Sequence, residues 1–191
     1  MYGEGRNLRY FVGIGLVIVL LFVVIALIMR SGGGKAPEAQ KELTSYADNS
    51  NFSVTMTTVG PITAAENHYQ SQIIVTNEST NVEISQGYDG NVTNSRNYAM
   101  TPNGFSEFLS ALDRAGFTKG NTAKDLQNDK GYCPTGQRYI FEAHDGSKSV
   151  QRFWATSCGG TKSYRGNLNL TLNLFQVQVP DYGDLTEDLN L

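Results

Sequence analysis

Two histidines, two cysteines and one tryptophan in 191 residues leave little material for a metal centre or a thiol-based active site. Neither His68 nor His144 stands in a metal-ligand spacing with cysteines or carboxylates, so no zinc-type cluster is expected. The Cys-x-x-Cys spacing of a redox pair is missing, as are the Gly-x-Ser-x-Gly elbow, the phosphate loop and the dinucleotide fingerprint. Charge is also scarce, at 17% of residues, while Asn, Thr, Ser and Gly are frequent, which suits a β-rich domain with a neutral polar surface. From Ala36 onward eleven bases face seventeen acids, so the concentrated positive surface needed for nucleic acid is lacking. Asp181, Asp184, Glu187 and Asp188 near the end lack calcium-loop spacing and are expected to form an exposed acidic tail.

One long apolar run is present. "YFVGIGLVIVLLFVVIALIM", residues 10–29, carries no charge, and twenty residues of helix cover about 30 Å, the thickness of a bilayer's hydrocarbon. The run exceeds the core of a cleaved signal peptide, Arg30 follows it directly, and no Ala-x-Ala site appears. An uncleaved transmembrane helix is therefore expected, with residues 1–9 as a cytoplasmic arm. Residues 30–48, with three consecutive glycines, read as a flexible linker, and residues 49–191 as an extracytoplasmic α+β domain.

Within that domain, "FSVTMTTV", "YQSQIIVT" and "NVEISQGY" alternate as half-buried strands do, with Phe52, Val54 and Met56, then Ile73 and Val75, then Val82, Ile84 and Tyr88 on one side. "NESTN", residues 77–81, marks one turn, and Asp89-Gly90 a second that leads into "NVTNSRNYA". The period then becomes helical: Phe105, Phe108, Leu109 and Leu112 form one stripe. Thr101 is placed to cap that helix, Pro102 to occupy its first position, and Gly116 to close it in a left-handed conformation that returns Phe117 to Leu112.

The two cysteines bracket an Asp-Gly pair. With Asp145-Gly146 as a two-residue hairpin loop, paired positions sum to 291, as do 133 and 158. Cys133 and Cys158 would then be a directly opposed, non-hydrogen-bonded pair about 4.5 Å apart at Cα, within disulfide reach. The same register pairs Phe141 with Val150, Tyr139 with Arg152 and Gln137 with Trp154 on one face, expected to be the core side. Residues 167–179 fit two descriptions. Leu168, Leu170, Leu172 and Leu174 alternate as a strand with a bulge before Phe175, Val177 and Val179, whereas Leu168, Leu172, Phe175 and Val179 make a helical stripe; Pro180 ends either.

At "GYCPTGQRY", "FWATSCGG" and "LFQVQVPDYGDL" the chain resembles short single-pass membrane proteins of small-genome, Saccharibacteria-type candidate-phylum bacteria. The resemblance implies an external domain ordered strand, strand, helix, strand, strand, helix, with the last stretch helical, and it implies no catalytic residue. In a bacterial protein the four Asn-x-Ser/Thr sequons at Asn51, Asn77, Asn91 and Asn169 carry no glycosylation meaning.

The function expected from the sequence is a signal-anchored protein that presents a disulfide-stabilised binding domain to an envelope or surface protein, with membrane lipid around its N-terminal helix. A non-catalytic accessory subunit of an envelope complex is the alternative, and an extracytoplasmic hydrolase a third reading without a visible catalytic cluster. Tyr69, Tyr88, Tyr98, Tyr132, Tyr139, Tyr164 and Tyr182 are either a sheet-shielding set or a surface for sugar or protein. No cofactor or metal ligand is assigned.

Overall fold

The computed structural model describes residues 42–189 and 191. The expected arm, membrane helix and most of the linker lie outside the described residues. Among the described residues no helix is long and apolar enough to cross a membrane.

Six strands form one antiparallel sheet in the order β4-β3-β2-β1-β5-β6. Strands β1 (Phe52–Val59), β2 (Tyr69–Val75), β3 (Ser79–Gln86) and β4 (Asn91–Ala99) run as a meander. Helix α1 (Pro102–Ala115) then crosses the sheet, and β5 (Arg138–Asp145) and β6 (Lys148–Thr156) return on the other side of β1. Helices α2 (Leu168–Gln176) and α3 (Tyr182–Thr186) complete the chain. The α+β class follows the sequence reading, but four strands and not two precede α1, and the helical end falls on the stretch that the residues alone left open between strand and helix.

Alternation decides which face is closed. Phe52, Val54 and Met56 of β1, Ile73 and Val75 of β2, and Val82 and Ile84 of β3 are all buried beneath Phe105, Phe108, Leu109 and Leu112 of α1. The helix ends behave as their residues dictate. Thr101 Oγ1 accepts the Gly104 N–H at 3.1 Å, Pro102 opens the helix, and Gly116 adopts φ 78°, ψ 35°. Phe117 N–H then donates to Leu112 O at 3.0 Å, and its buried ring meets Phe141 and Phe175. A 3-10 turn at Leu43–Tyr46 packs here too, with Leu43 and Ala47 buried, so the folded unit begins upstream of residue 49.

Residues 168–176 are helix, which settles the two descriptions left open above. As a strand, four leucines would share a side; as a helix, Phe175 reaches Phe108 edge-on at 5.3 Å and Val179 is also buried, while Leu170 and Val177 face solvent. Asn167 caps the start by accepting the Leu170 N–H at 3.1 Å. Inside the turn before it, the buried Tyr164 hydroxyl meets Thr171 Oγ1 at 2.6 Å. Burial pushes the Tyr164 pKa up, partly offset by that hydrogen bond.

Two turns differ from expectation. The first is tighter than residues 77–81, since β2 ends at Val75 and β3 already begins at Ser79. Thr76 is the reason: its hydroxyl accepts from the N–H groups of Glu78 and Ser79. Tyr88, expected in a strand, lies in the β3–β4 loop and is exposed, its ring stacked on His68 at 4.2 Å.

The far face of the sheet closes differently. Trp154, fully buried there, donates its indole N–H to Leu126 O at 2.7 Å and packs on Tyr132. The loop that supplies both also brings in Asp129, whose carboxylate is nearly buried between Arg138 (3.3 Å) and Arg152 (2.5 Å), with Glu142 on the other side of Arg152 at 3.4 Å. Toward β2 and β3 this face is polar, with Gln72 Nε2 donating to Thr57 Oγ1 at 3.2 Å.

Candidate functional site

The hairpin of β5 and β6 carries the disulfide. Cys133 and Cys158 are bonded, with Cα atoms 5.7 Å apart. The bond is the one expected, but the register beneath it is not. The two-residue loop is Gly146-Ser147, because Asp145 stays in the strand, pairs with Lys148 and accepts from Asn49 Nδ2 at 2.9 Å. A bulge between Ala143 and His144 adds one more residue, Val150, which is left exposed.

Paired positions therefore sum to 294 beyond the bulge. Phe141 faces Phe153 instead of Val150, Tyr139 faces Ala155 instead of Arg152, and Trp154 faces Ile140 instead of Gln137. Phe141 and Tyr139 do lie on the helix side, whereas Arg152 and Trp154 belong to the far face. His144, expected as an exposed loop residue, is a half-buried strand residue between Ser53 and Ser149.

In this register the position across from Cys158 is Gly136. Gln137 and Ser157 extend the pairing by one step, with the Ser157 N–H donating to Gln137 O at 3.0 Å and the Gln137 N–H to Ser157 Oγ at 2.9 Å. The chain then doubles back through a turn in which the Gly136 N–H donates to Cys133 O. That turn lays Cys133 over Gly136 and within reach of Cys158. A Cβ at Gly136 would lie 2.6 Å from Cys133 Sγ, so only glycine fits beneath the bond. Cys133 itself sits at φ 51°, a left-handed conformation that a non-glycine residue adopts at a cost the disulfide helps to offset.

Immediately after this turn the chain enters the wall of a pocket of about 200 Å³. Gln137 and Tyr139 come from β5, Thr58 from the adjoining β1, Leu172 and Gln176 from α2, Tyr182 and Thr186 from α3, and Leu189 and Leu191 from the terminal segment. The walls are cross-braced. The Tyr139 hydroxyl donates to Gln137 Oε1, and Gln137 Nε2 donates to the Leu191 carbonyl. Tyr182 OH meets Ser71 Oγ at 3.1 Å, and Thr186 Oγ1 donates to Tyr182 O at 2.8 Å. Asp181, just before α3, accepts from the Tyr98 hydroxyl and so fixes that helix to β4. The remaining acids of the tail, Asp184, Glu187 and Asp188, are exposed as expected.

The side chains that line the pocket offer hydroxyl and amide groups without formal charge. The Thr58 hydroxyl and the Gln176 amide have no hydrogen-bond partner among the described residues, so both are available to a ligand. Burial, and then the nearby Tyr182, push the Tyr139 pKa above its ordinary value; the hydrogen bond to Asp181 does the same for Tyr98, with burial and the carboxylate's charge adding to it. Among the described residues no carboxylate, imidazole, thiol or ammonium side chain lines the space.

Among the described residues no group of three or more His, Cys, Asp or Glu is placed to hold a metal ion. His68 is buried, with Nδ1–H donating to Pro61 O at 2.9 Å. Of the seven tyrosines singled out, the structure brings only Tyr139 and Tyr182 into the pocket; Tyr164 is core and Tyr132 covers Trp154. Thr58, Gln137 and Gln176 were not legible as site residues, since they lie far apart in sequence and meet only once β1, β5 and α2 are assembled. No protein-family model matches the chain, and no curated protein matches it at a significant level.

Proposed function

We propose that the chain is a membrane-anchored recognition protein whose α+β domain stands outside the cytoplasm and uses the pocket between β5, α2 and α3 to hold a neutral, hydroxyl- or amide-bearing group of an envelope or surface partner. The observation that carries this reading is the pocket's make-up: unpartnered Thr58 and Gln176 beside braced tyrosines, with no acidic or basic side chain among the described residues that line it. Such groups hold a polar ligand through hydrogen bonds and aromatic contact and do not convert it. At about 200 Å³ the space suits one sugar ring or one side chain, below the roughly 300–1,000 Å³ of sites that enclose a whole small molecule.

The external location draws on the Cys133–Cys158 bond, on the apolar run at residues 10–29, and on the resemblance to single-pass proteins of Saccharibacteria-type bacteria. Disulfides persist in oxidising compartments, and the run is long enough to hold the domain at a membrane.

Crosslinking tests the reading. A photo-reactive residue at Leu189, on the pocket rim, is expected to capture a defined neighbour in native membranes, and Gln176→Trp, which fills the space, is expected to abolish the capture. A neighbour captured equally well with the pocket filled would overturn it. Recovery of the chain only within a large, stable complex, its pocket irrelevant, would favour the accessory-subunit alternative.

A further inference from the structure

The two edges of the sheet are treated differently. On β6 the chain closes its own edge: Ser163 and Tyr164 both donate N–H to Trp154 O, at 3.1 and 2.9 Å, and the Trp154 N–H donates to Ser163 Oγ at 2.8 Å. Arg152 and the Val150 bulge disrupt the rest of that edge. On β4, among the described residues, no backbone segment covers residues 94–99. The strand has no proline and no lysine, and its single charge is Arg96.

The Met100 N–H donates to Glu78 O at 2.9 Å, and Tyr98, Arg96 and Asn94 stand opposite Thr80, Val82 and Ile84. Bonding toward β3 therefore falls on the even-numbered residues, and Ser95, Asn97 and Ala99 point their N–H and C=O groups outward. An exposed row of this kind is a template for another strand.

We propose that β4 pairs antiparallel with β4 of a second copy, about a two-fold axis at Asn97, joining two sheets into one. The register follows from the irregularities that flank the segment. Centred on Ser95, the regular residues would meet the bulge at Thr93; centred on Ala99, they would run into the helix cap at Thr101. Centred on Asn97, Ser95 pairs with Ala99 and Arg96 with Tyr98 of the second copy.

That last pair supplies the complementarity. Tyr98 carries Asp181 on its hydroxyl, so each Arg96 meets an aromatic ring backed by a carboxylate. Arg96 is exposed and at present bonds only locally, to Asn94 Oδ1 at 2.7 Å and Ser95 O at 3.1 Å, so it is free to turn. Six regular residues per copy bury much less than the roughly 1,200 Å² of a standard interface, so the dimer is reversible and concentration-dependent.

The test uses the full chain in mild detergent. Asn97→Cys is expected to form an intermolecular disulfide under gentle oxidation, because hydrogen-bonded pairs bring Cα atoms to about 5.5 Å. Ser95→Cys alone is expected to crosslink poorly, its counterpart lying about 13 Å along the strand, but to crosslink when mixed with Ala99→Cys. Sedimentation is expected to show dimer rising with concentration, and Arg96→Glu to weaken it by about tenfold. A monomer at every concentration, crosslinking of Asn97→Cys no faster than that of the exposed control Val177→Cys, Ser95→Cys crosslinking alone as fast, or capture from position 97 of a different protein only would each overturn the proposal.

Discussion

The two faces of this sheet are closed by different physics. On the helix side a continuous apolar layer does the work: Phe105, Leu109 and Leu112 above, Val54, Met56, Ile73 and Phe141 below, all essentially without solvent contact. On the far side one indole and one nearly buried carboxylate between two arginines hold a loop in place. The first arrangement is non-directional and tolerates small adjustments, while the second depends on a few atoms in fixed geometry. The disulfide lies at the seam, tying the chain that leaves the far-face loop to the end of β6.

Truncation on the helix side should give the largest effect. Phe117→Ala removes a ring shared by Phe141 and Phe175 and is expected to cost about 3–5 kcal/mol, a large part of a domain's usual margin, visible as a shifted urea midpoint. A change below about 1 kcal/mol would mean that the apolar layer does not carry this face.

At the seam, replacing both cysteines by serine should cost about 2–4 kcal/mol, and reduction of the native chain should lower its melting temperature by a similar amount to the double variant. Equal melting of oxidised and reduced protein would show that the strands alone hold the turn. Gly136→Ala should produce part of this loss by forcing Cys133 off its position.

On the far face, Asp129→Asn removes the charge that Arg138 and Arg152 share and turns an amide NH2 toward one of the two guanidinium groups, and it should cost about 1–3 kcal/mol. Tryptophan fluorescence should report it, since Trp154 is the only tryptophan and the loop that buries it would loosen. A destabilised variant with unchanged emission would separate the ion pairs from the indole's burial.

The smallest effect concerns the helix side. Asp113 has its pKa raised by burial and by nearby Glu42, against the opposing pull of the Thr44 and Leu43 N–H groups. A raised carboxyl contributes stability that is complete below the unfolded value near 3.8 and lost as pH rises through the folded value. Asp113→Asn should therefore stabilise slightly at pH 7 and have no effect at pH 3, with thermal melts at both values as the check. A loss at pH 7 would show that the charge is needed to hold the Leu43–Tyr46 turn.

Local signals were readable where one segment decided the outcome. The α1 stripe, its Thr101 cap and its Gly116 stop needed no long-range information, and neither did the β1–β3 alternation. The cysteine partnership was legible, but its register was not, because Asp145 is claimed by Asn49 and Val150 is bulged out. The shifted loop changes the pairing by two and leaves the faces as they were, while the one-residue bulge turns the β6 side chains beyond it to the other face, which is why Arg152 and Trp154 were misplaced. The helical end was decided by packing on Phe108 and Phe117, which the leucine spacing alone could not show. The pocket left no trace in any one stretch, since its free polar groups come from β1 and α2.

Thiol accessibility tests the central claim most directly. In intact cells, a membrane-impermeant maleimide should leave the chain unlabelled until an external reductant is added, and should then mark both Cys133 and Cys158. Labelling without reduction, or only after the cells are lysed, would contradict a disulfide-bonded domain held outside the membrane.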